Sequence, residues 1–505
     1  MNKALRSLTI ALFTMYPVVF VYFRNESFIF EGGLALPLFL LVATAFMIYA
    51  ILNFINSKHT NNVLIVLLVM FWFLLYGHIY CSFLDFFNIH YSSFRHRIYF
   101  PIYTLLFFVP IWILLKAEAV SEKLIPVLFI VGLVLNIQFM MPAIHTFTDK
   151  ITSFPKRVVS PINSELPDVY YIIPDSYPNE ENLQKYYDFD NSTFIQELEA
   201  LDFQVFDSAK SNYPYTYFSV PSSLNMEYIN YFEDSVSLEK RNQNLPFTKV
   251  HHNKVADYFQ SKGYQYVLFQ SGYTEFNNGE YADVYITNGS TMNHFYESLI
   301  ELSVLSCLNN HIYNQEVFNI CTKAFQQLPK VPEIKGNKFV FFHCLPPHPP
   351  FVFDENGKYM KSVQIVENRY SQKKEYIDQV KYVNRMLLSI VKTILEKSET
   401  PPIIIIQGDH GSCTSEKSET KWQPVPSNEL LRERYGILNA IYIPEEYAID
   451  FPKDHTPVNT FRYIINELFN DTLRILPNRS YISKYRKPYN FKEINWKEVN
   501  SDVQH

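Results

Sequence analysis

The sequence predicts a two-part α/β protein: an N-terminal bundle of five transmembrane helices, then an α/β/α sandwich around a largely parallel sheet. Three observations predict it. Apolar residues are concentrated in the first third of the 505-residue chain. A polar, proline-containing stretch follows. Short, continuously apolar, β-branched runs then alternate with amphipathic helical patterns, the signature of central strands covered on both faces. A chain this long divides into more than one part. The boundaries fall at 1–147 for the transmembrane domain, 148–166 for the linker, and 167–505 for the soluble domain.

Five apolar stretches carry the first domain: Leu8–Tyr22, Leu34–Ile55, Val63–Leu84, Tyr99–Leu115 and Leu124–Ile144. A bilayer core needs about 20 apolar residues in a helix. The second, third and fifth stretches meet that easily; the first and fourth are at the short end. The first follows Lys3 and Arg6 as a signal peptide would, but it ends in VFVYFRNESF with no small-residue cleavage site, so it reads as a retained span. Lys3, Arg6, Lys58, Lys116 and Lys123 fall on one side if all five stretches span, and Arg24, Arg95 and Arg97 fall on the other. The balance puts the N-terminus in the cytoplasm and everything after about Ile144 outside. His78 is the one ionisable residue well inside an apolar stretch, and its place near the helix end reads as interfacial.

The formal net charge of −6 gives no electrostatic reason to expect a nucleic acid partner. None of the five cysteines has zinc-knuckle spacing; Cys307 and Cys321 share one stretch and are candidates for a pair.

The expected strands of the soluble domain are Val169–Ile173, Tyr264–Phe269, Phe339–His343 and Ile403–Ile406. Helices are expected from near Thr193, where Gln196 completes a capping box, through KVHHNKVADYFQSKG to a left-handed cap at Gly263, and from about Asn368 to Lys397. In such sheets, sites form beyond the carboxyl ends of the strands. Asp175, His343, Asp409 and His410 fall there.

These residues carry the candidate chemistry. Asp175 follows VYYII; alone, it reads equally as a turn or helix cap. Asp409 and His410, in IIQGDHGS, offer a carboxylate and an imidazole to one point, and Gly408 and Gly411 are expected to let the backbone bend tightly. Thr216, in SNYPYTYFSVPSSLN, lies where a loop enters a helix. Alone it reads as an N-cap, yet a hydroxyl there also sits near helix-terminal amides that stabilise phosphate oxygens. His343 and His348 lie in FFHCLPPHPPF, a loop stiffened by four prolines.

Together these motifs resemble the alkaline phosphatase/sulfatase superfamily, above all its membrane-anchored branch of lipoteichoic acid synthases and lipid A phosphoethanolamine transferases. Asp175 stands at the position of a metal-binding acid, Thr216 at that of the threonine nucleophile, Asp409 and His410 at that of the paired metal ligands, and His348 at that of a substrate-binding histidine. RYGILNAIYIP and PVNTFRYIINELF resemble the superfamily's closing strand and helix. The chain departs from the branch in having Asp rather than Glu at 175 and in lacking its disulfide-rich pattern.

The resemblance implies one divalent ion (Zn²⁺, Mn²⁺ or Mg²⁺) on Asp175, Thr216, Asp409 and His410, with Thr216 and His348 catalytic and His343 and His348 binding substrate. It implies transfer of a phospholipid head group to a surface glycan or lipid. A sulfatase-type hydrolase would instead use a modified Ser219 in Ser219-Val220-Pro221-Ser222-Ser223, but Ser223 stands where that motif needs arginine. A catalytically inactive membrane scaffold is the third alternative.

Overall fold

The computed structural model describes residues 3–24, 33–55, 61–86, 96–117, 120–151, 166–235, 244–287, 294–360, 369–414, 426–447, 449–484 and 487–501. Lys58 and Arg95 lie outside the described residues, as does most of the expected linker, and the side chains of Arg24 and Arg97 are likewise outside. The chain divides into two compact units: residues 1–157 together with Thr291–Tyr313, and the remainder.

Among the described residues, the N-terminal part of the first unit forms α1 (Lys3–Arg24), α2 (Ala35–Ile55), α3 (Asn62–Leu74), α4 (Tyr76–Phe86), α5 (His96–Lys116) and α6 (Val120–Ile151). Among the described residues, Lys3–Phe23, Ala35–Ile55 and Ile98–Lys116 are long and apolar enough to cross a membrane; α3 and α4 make a fourth span only if taken as one. The count of five spans is therefore not confirmed among the described residues. The stretch Val63–Leu84 breaks, with α3 and α4 bent by 53°. The backbone beside the bend is closely approached by a distant part of the chain. Gly77, just past it, lies so close to a returning segment that a Cβ there would sit 1.7 Å from the Glu301 carbonyl oxygen. That segment, the helix His294–Leu302, packs Phe295 against Val18, Val21 and Tyr22 of α1. The stretch Leu124–Ile144 lies in α6, whose side chains beyond 138 are outside the described residues. His78 is exposed.

The second unit is built on a seven-stranded sheet ordered β2-β7-β6-β1-β5-β3-β4. Its strands are β1 (Val169–Pro174), β2 (Phe203–Val205), β3 (Gln265–Phe269), β4 (Val284–Ile286), β5 (Lys338–Cys344), β6 (Ile403–Gln407) and β7 (Asn439–Tyr442). The four expected strands are its four central parallel ones, each buried almost throughout, which is why they read as unbroken apolar runs. β7 runs antiparallel to β6 and to β2. A separate hairpin, β8 (Tyr481–Lys484) with β9 (Lys487–Glu493), follows.

The helices that matter for the site are α7 (Glu180–Tyr187), α8 (Ser192–Glu199), α9 (Thr216–Asn225), α10 (Asn244–His251), α11 (Lys254–Ser261), α12 (Lys373–Lys397), α13 (Asn428–Tyr435) and α14 (Pro457–Phe469). Gly263 has φ 91, the left-handed geometry expected of it. Two local expectations differ. The pattern KVHHNKVADYFQSKG breaks into α10 and α11, because the Asn253 side chain accepts from the Ala256 amide and starts a new helix. The capping box at Thr193 is not formed. α8 begins at Ser192, and Asn191 before it spends its side chain on the Tyr177 hydroxyl and on Asn384. Cys321 is buried, and the side chain of Cys307, its candidate partner, lies outside the described residues.

Candidate active site and metal centre

The parallel register places β1, β5 and β6 side by side, so the segments leaving their carboxyl ends converge. Asp175 follows β1, His343 ends β5, and Asp409 and His410 follow β6. Asp175, Asp409 and His410 are all buried, and one potential ligand atom from each lies within 4.8 Å of the others. His410 Nε2 is 3.7 Å from Asp175 Oδ1 and 3.5 Å from Asp409 Oδ2.

The backbone around this cluster is tightly fitted. Ser176 adopts φ 60, a left-handed conformation that costs a non-glycine residue energy. Its amide donates to Asp409 Oδ1 at 2.9 Å, and its hydroxyl donates to the Gly411 carbonyl at 3.1 Å. The Tyr376 hydroxyl of α12 holds the Ser176 carbonyl at 2.7 Å. Neither Gly408 nor Gly411 has a positive φ, contrary to the expectation of a tight glycine bend. They are needed for close approach: a Cβ at Gly408 would meet the Tyr177 carbonyl oxygen at 2.4 Å, and one at Gly411 the Glu433 carbonyl oxygen at 2.2 Å.

Thr216 is the first residue of α9, not its N-cap; Tyr215 caps it with extended backbone. The Thr216 hydroxyl is thus available to the site, and its Oγ1 lies 3.1 Å from His410 Nε2. One turn on, the Ser219 hydroxyl donates to the Asp409 carbonyl at 2.7 Å, tying α9 to the metal-side turn. The position that a sulfatase would modify is therefore engaged with backbone.

The hydrogen bonds fix the His410 tautomer. Nδ1 faces the Gly411 carbonyl at 2.9 Å, and a carbonyl only accepts, so Nδ1 carries the proton and Nε2 presents its lone pair. Burial, reinforced by the Arg434 guanidinium, holds the pKa of His410 well below the ordinary value and keeps the ring neutral. Burial raises the pKa of Asp409, opposed by the Ser176 amide. His343 is fully buried, with Nδ1 paired to the Ser271 hydroxyl at 2.7 Å and Nε2 at 3.6 Å from Asp175 Oδ2, too long for a hydrogen bond. Burial pushes its pKa down to about 3. His348 is half-buried, its amide donating to the Asp175 carbonyl at 3.1 Å and its ring 6.3 Å from that of His410.

The residues present fit a divalent cation. Two buried carboxylates this close repel unless a cation lies between them. Asp409 Oδ2 and His343 Nε2 are buried with no hydrogen-bond partner. His410 offers a neutral lone pair to the same point, as a metal ligand must.

Sequence reasoning missed three contributors. Ser176 directly follows Asp175, but the sequence alone gives it no role. Glu433 and Arg434 lie near the end of the polar helix α13, yet both are buried, at 0 % and 2 % exposure. Glu433 accepts from the Ser412 hydroxyl and the Thr414 amide, and Arg434 reaches His410 and Gly411. The available signal was two adjacent charges directly before Tyr435-Gly436, in the stretch that resembles the closing strand. A cavity of about 550 Å³ lies elsewhere, lined by Leu431, Ile482, Lys484, Ile494 and Val499 among others. None of the clustered Asp and His residues borders it, so the chemistry decides the site.

A buried two-carboxylate, one-imidazole cluster beyond a parallel sheet, with a hydroxyl at a helix start aimed into it, defines an enzyme of the alkaline phosphatase/sulfatase superfamily. The sulfatase family model matches residues 167–463, and the chain belongs to that family. No curated protein matches. Among solved structures, the chain is similar to the zinc complex of the C-terminal periplasmic domain of EcEptC from Escherichia coli, with 14% identity and a TM-score of 0.44, over 70% of this chain and 99% of that one. It is similar to the C-terminal periplasmic domain of phosphoethanolamine transferase EptC from Campylobacter jejuni, with 13% identity and a TM-score of 0.38, over 62% and 96%. It is also similar to the soluble domain of lipooligosaccharide phosphoethanolamine transferase A from Neisseria meningitidis, with 14% identity and a TM-score of 0.38, over 62% and 90%.

Proposed function

We propose that this protein is a membrane-bound, metal-dependent phosphotransferase. It moves a phospholipid head group, phosphoethanolamine or phosphoglycerol, through a phospho-threonine at Thr216 to a cell-envelope glycan or lipid. The observation that carries the reading is the Thr216 hydroxyl, 3.1 Å from His410 Nε2 within the Asp175, Asp409 and His410 cluster.

Asp175, Asp409, His410 and the Thr216 oxygen would hold one divalent ion, Zn²⁺, Mn²⁺ or Mg²⁺ by ligand type. Such an ion lowers the pKa of a bound hydroxyl and offsets charge on phosphoryl oxygens. Thr216 Oγ1 attacks the head-group phosphorus as its proton leaves to solvent. The bond from phosphorus to the diacylglycerol oxygen breaks, and that oxygen takes a proton from His348. In the second half, an acceptor hydroxyl attacks phosphorus, its proton returns to His348, and Thr216 leaves and is reprotonated. The N-terminal amides of α9 face the same phosphoryl oxygens. His343 supports Asp175 from the side of β5.

The apolar helices anchor the chain in a membrane, with the N-terminus cytoplasmic and the catalytic domain outside. Anchoring raises the effective concentration of a lipid donor at the site.

Mass spectrometry of the Thr216 peptide, from protein purified out of its native membrane and acid-quenched during turnover, tests the proposal. A phosphoethanolamine or phosphoglycerol adduct on Thr216 is expected. Formylglycine at position 219 with activity surviving Thr216→Ala would hand the site to sulfate-ester hydrolysis. Protein that binds no metal would hand it to a scaffold role.

A further inference from the structure

The cavity of about 550 Å³ beside α13 has the size of a site for a small organic ligand. Leu431 of α13, Ile482 of β8, Ile494 and Val499 give it an apolar floor. Its charged lining is mostly positive. Lys484, Lys487 and Lys492 of the hairpin stand against the carboxylates of Glu493 and Glu498. Arg479 holds Glu493 at 3.2 Å, so three lysines face one uncommitted acid, Glu498.

The hairpin is poorly arranged for its own stability. Lys484 and Lys487 stand directly opposite each other across the ladder, where like charges repel. Lys484 and Lys492 form no ion pair among the described residues. An anion in the cavity relieves both faults. Asn490 and Asn495 add carboxamides to the same wall. Ammonium and amide groups over a short apolar floor suit a sugar: its acidic group, its hydroxyl edge and its apolar face. Four aliphatic side chains match one sugar face better than the length of an acyl chain.

The cavity shares supports with the candidate active site. The hydroxyl of Tyr215, the residue before Thr216, donates at 3.3 Å to the carbonyl of Ser483, which lines the cavity. The Tyr435 hydroxyl, at the end of α13, donates to the Tyr481 carbonyl of β8 at 2.7 Å. On α13 itself, Leu431 at the cavity and Arg434 at the metal-side turn are separated by about 4.5 Å of helix rise.

We propose that this cavity is the acceptor subsite, and that it grips an acidic sugar unit of the acceptor through Lys484 and Lys492. The proposal rests on the phosphotransferase reading and adds to it the chemical class of the acceptor and the place where it docks.

The test uses the full chain in a detergent without a sugar head group, with glucuronate, glucose 6-phosphate and glucose as probes. Saturation-transfer NMR reads binding to wild type and to Lys484→Gln/Lys492→Gln. Both lysines are exposed, so the double variant should keep the wild-type Tm. Both anions should bind wild type, glucose should bind at least about tenfold more weakly, and the double variant should lose about tenfold in affinity for the anions alone. The tighter anion then tells a carboxylated sugar from a phosphorylated one. Equal binding of glucose, wild-type affinity in the double variant, or no binding of either anion would overturn the assignment. If neither anion binds but phosphatidylglycerol raises the Tm of wild type and not of the variant, the cavity belongs to a lipid head group. The adduct on Thr216 keeps the two readings apart, because donor attack needs no acceptor and should occur in both proteins. Its absence from wild type would refute the phosphotransferase reading, whatever the sugars do.

Discussion

Adding one methyl group at Gly411 tests whether the metal-side turn is held by close packing rather than by glycine flexibility. An added Cβ would sit 2.2 Å from the Glu433 carbonyl oxygen, 2.8 Å from that of Gly436 and 3.2 Å from that of Arg434. All three are backbone atoms around the end of α13, so no side chain can swing aside. Ordinary contact begins near 3.4 Å, so the turn must shift by about 1 Å. The Gly411 amide bond to the Arg434 carbonyl, 2.7 Å long, would stretch or break with it. Overpacking of this kind costs roughly 1–3 kcal/mol, or a few degrees in Tm for a unit of this size. The larger effect falls on metal binding, since ligand distances tolerate only about ±0.2 Å. Gly411→Ala should therefore lower zinc affinity by at least about tenfold. The assay is zinc retained per chain after dialysis against a graded chelator, with thermal unfolding of the same samples. Gly272→Ala is the matched control, because its methyl would meet only the side chains of Leu345 and Val317 at 3.0–3.4 Å. A Gly411→Ala protein that keeps both zinc affinity and Tm would refute the packing argument.

Thr216→Ala should abolish head-group transfer while zinc stays bound through Asp175, Asp409 and His410; Thr216→Ser should retain part of the activity, measured as release of diacylglycerol. Asp409→Asn should lose metal, since it removes a buried charge facing the cation site, and metal content read against wild type checks it. Stripping metal should lower Tm, because an ion at about 100 times its Kd contributes about 2.7 kcal/mol; an unchanged Tm on chelation would count against the site. His455 gives a pH signature outside the cluster. Burial lowers its pKa to about 4, while Nδ1 donates to the Pro452 carbonyl and Nε2 accepts from Asn439. Because the folded-state value is depressed, its contribution of roughly 3 kcal/mol is present above the unfolded value near 6.5. It is lost as pH falls towards 4. His455→Gln should flatten that part of the acid-unfolding curve, followed by circular dichroism.

The central strands were legible because a strand covered on both faces must be apolar at every position, as Ile403–Ile406 is. The three-residue β2 and β4 were not, since so short a run has no period to read. The site residues at strand ends were legible through spacing and resemblance. Thr216 was half legible: its loop-to-helix position was clear, but only the backbone shows that it opens the helix and leaves its hydroxyl for His410. Arg434 and Glu433 were hidden by an ordinary rule, that charges on a polar helix face water. Here the two charges are buried because they serve a polar site. Asn191 shows the reverse, a residue in a capping position recruited by tertiary partners. The close approach beside the bend after α3 was invisible because the Glu301 carbonyl that meets Gly77 lies more than 200 residues away in the chain.

That distant contact bears on the order in which the protein is made. If α1, and α4 with α3, cross a membrane as proposed, they insert as they emerge during synthesis, long before residue 302 exists. Yet Phe295 fills the space between Val18, Val21 and Tyr22, and the main chain of Glu301 lies against Gly77. On the proposed reading the apolar unit is therefore left unfinished at its own insertion and is completed by a later part of the chain. A fragment ending at the linker would lack that part, and a fragment beginning there would carry Phe295, Leu299 and Leu302 without the apolar surface they cover. Cutting between the two units requires removing Thr291–Tyr313 as well, which makes three cuts in the chain where the sequence shows one linker.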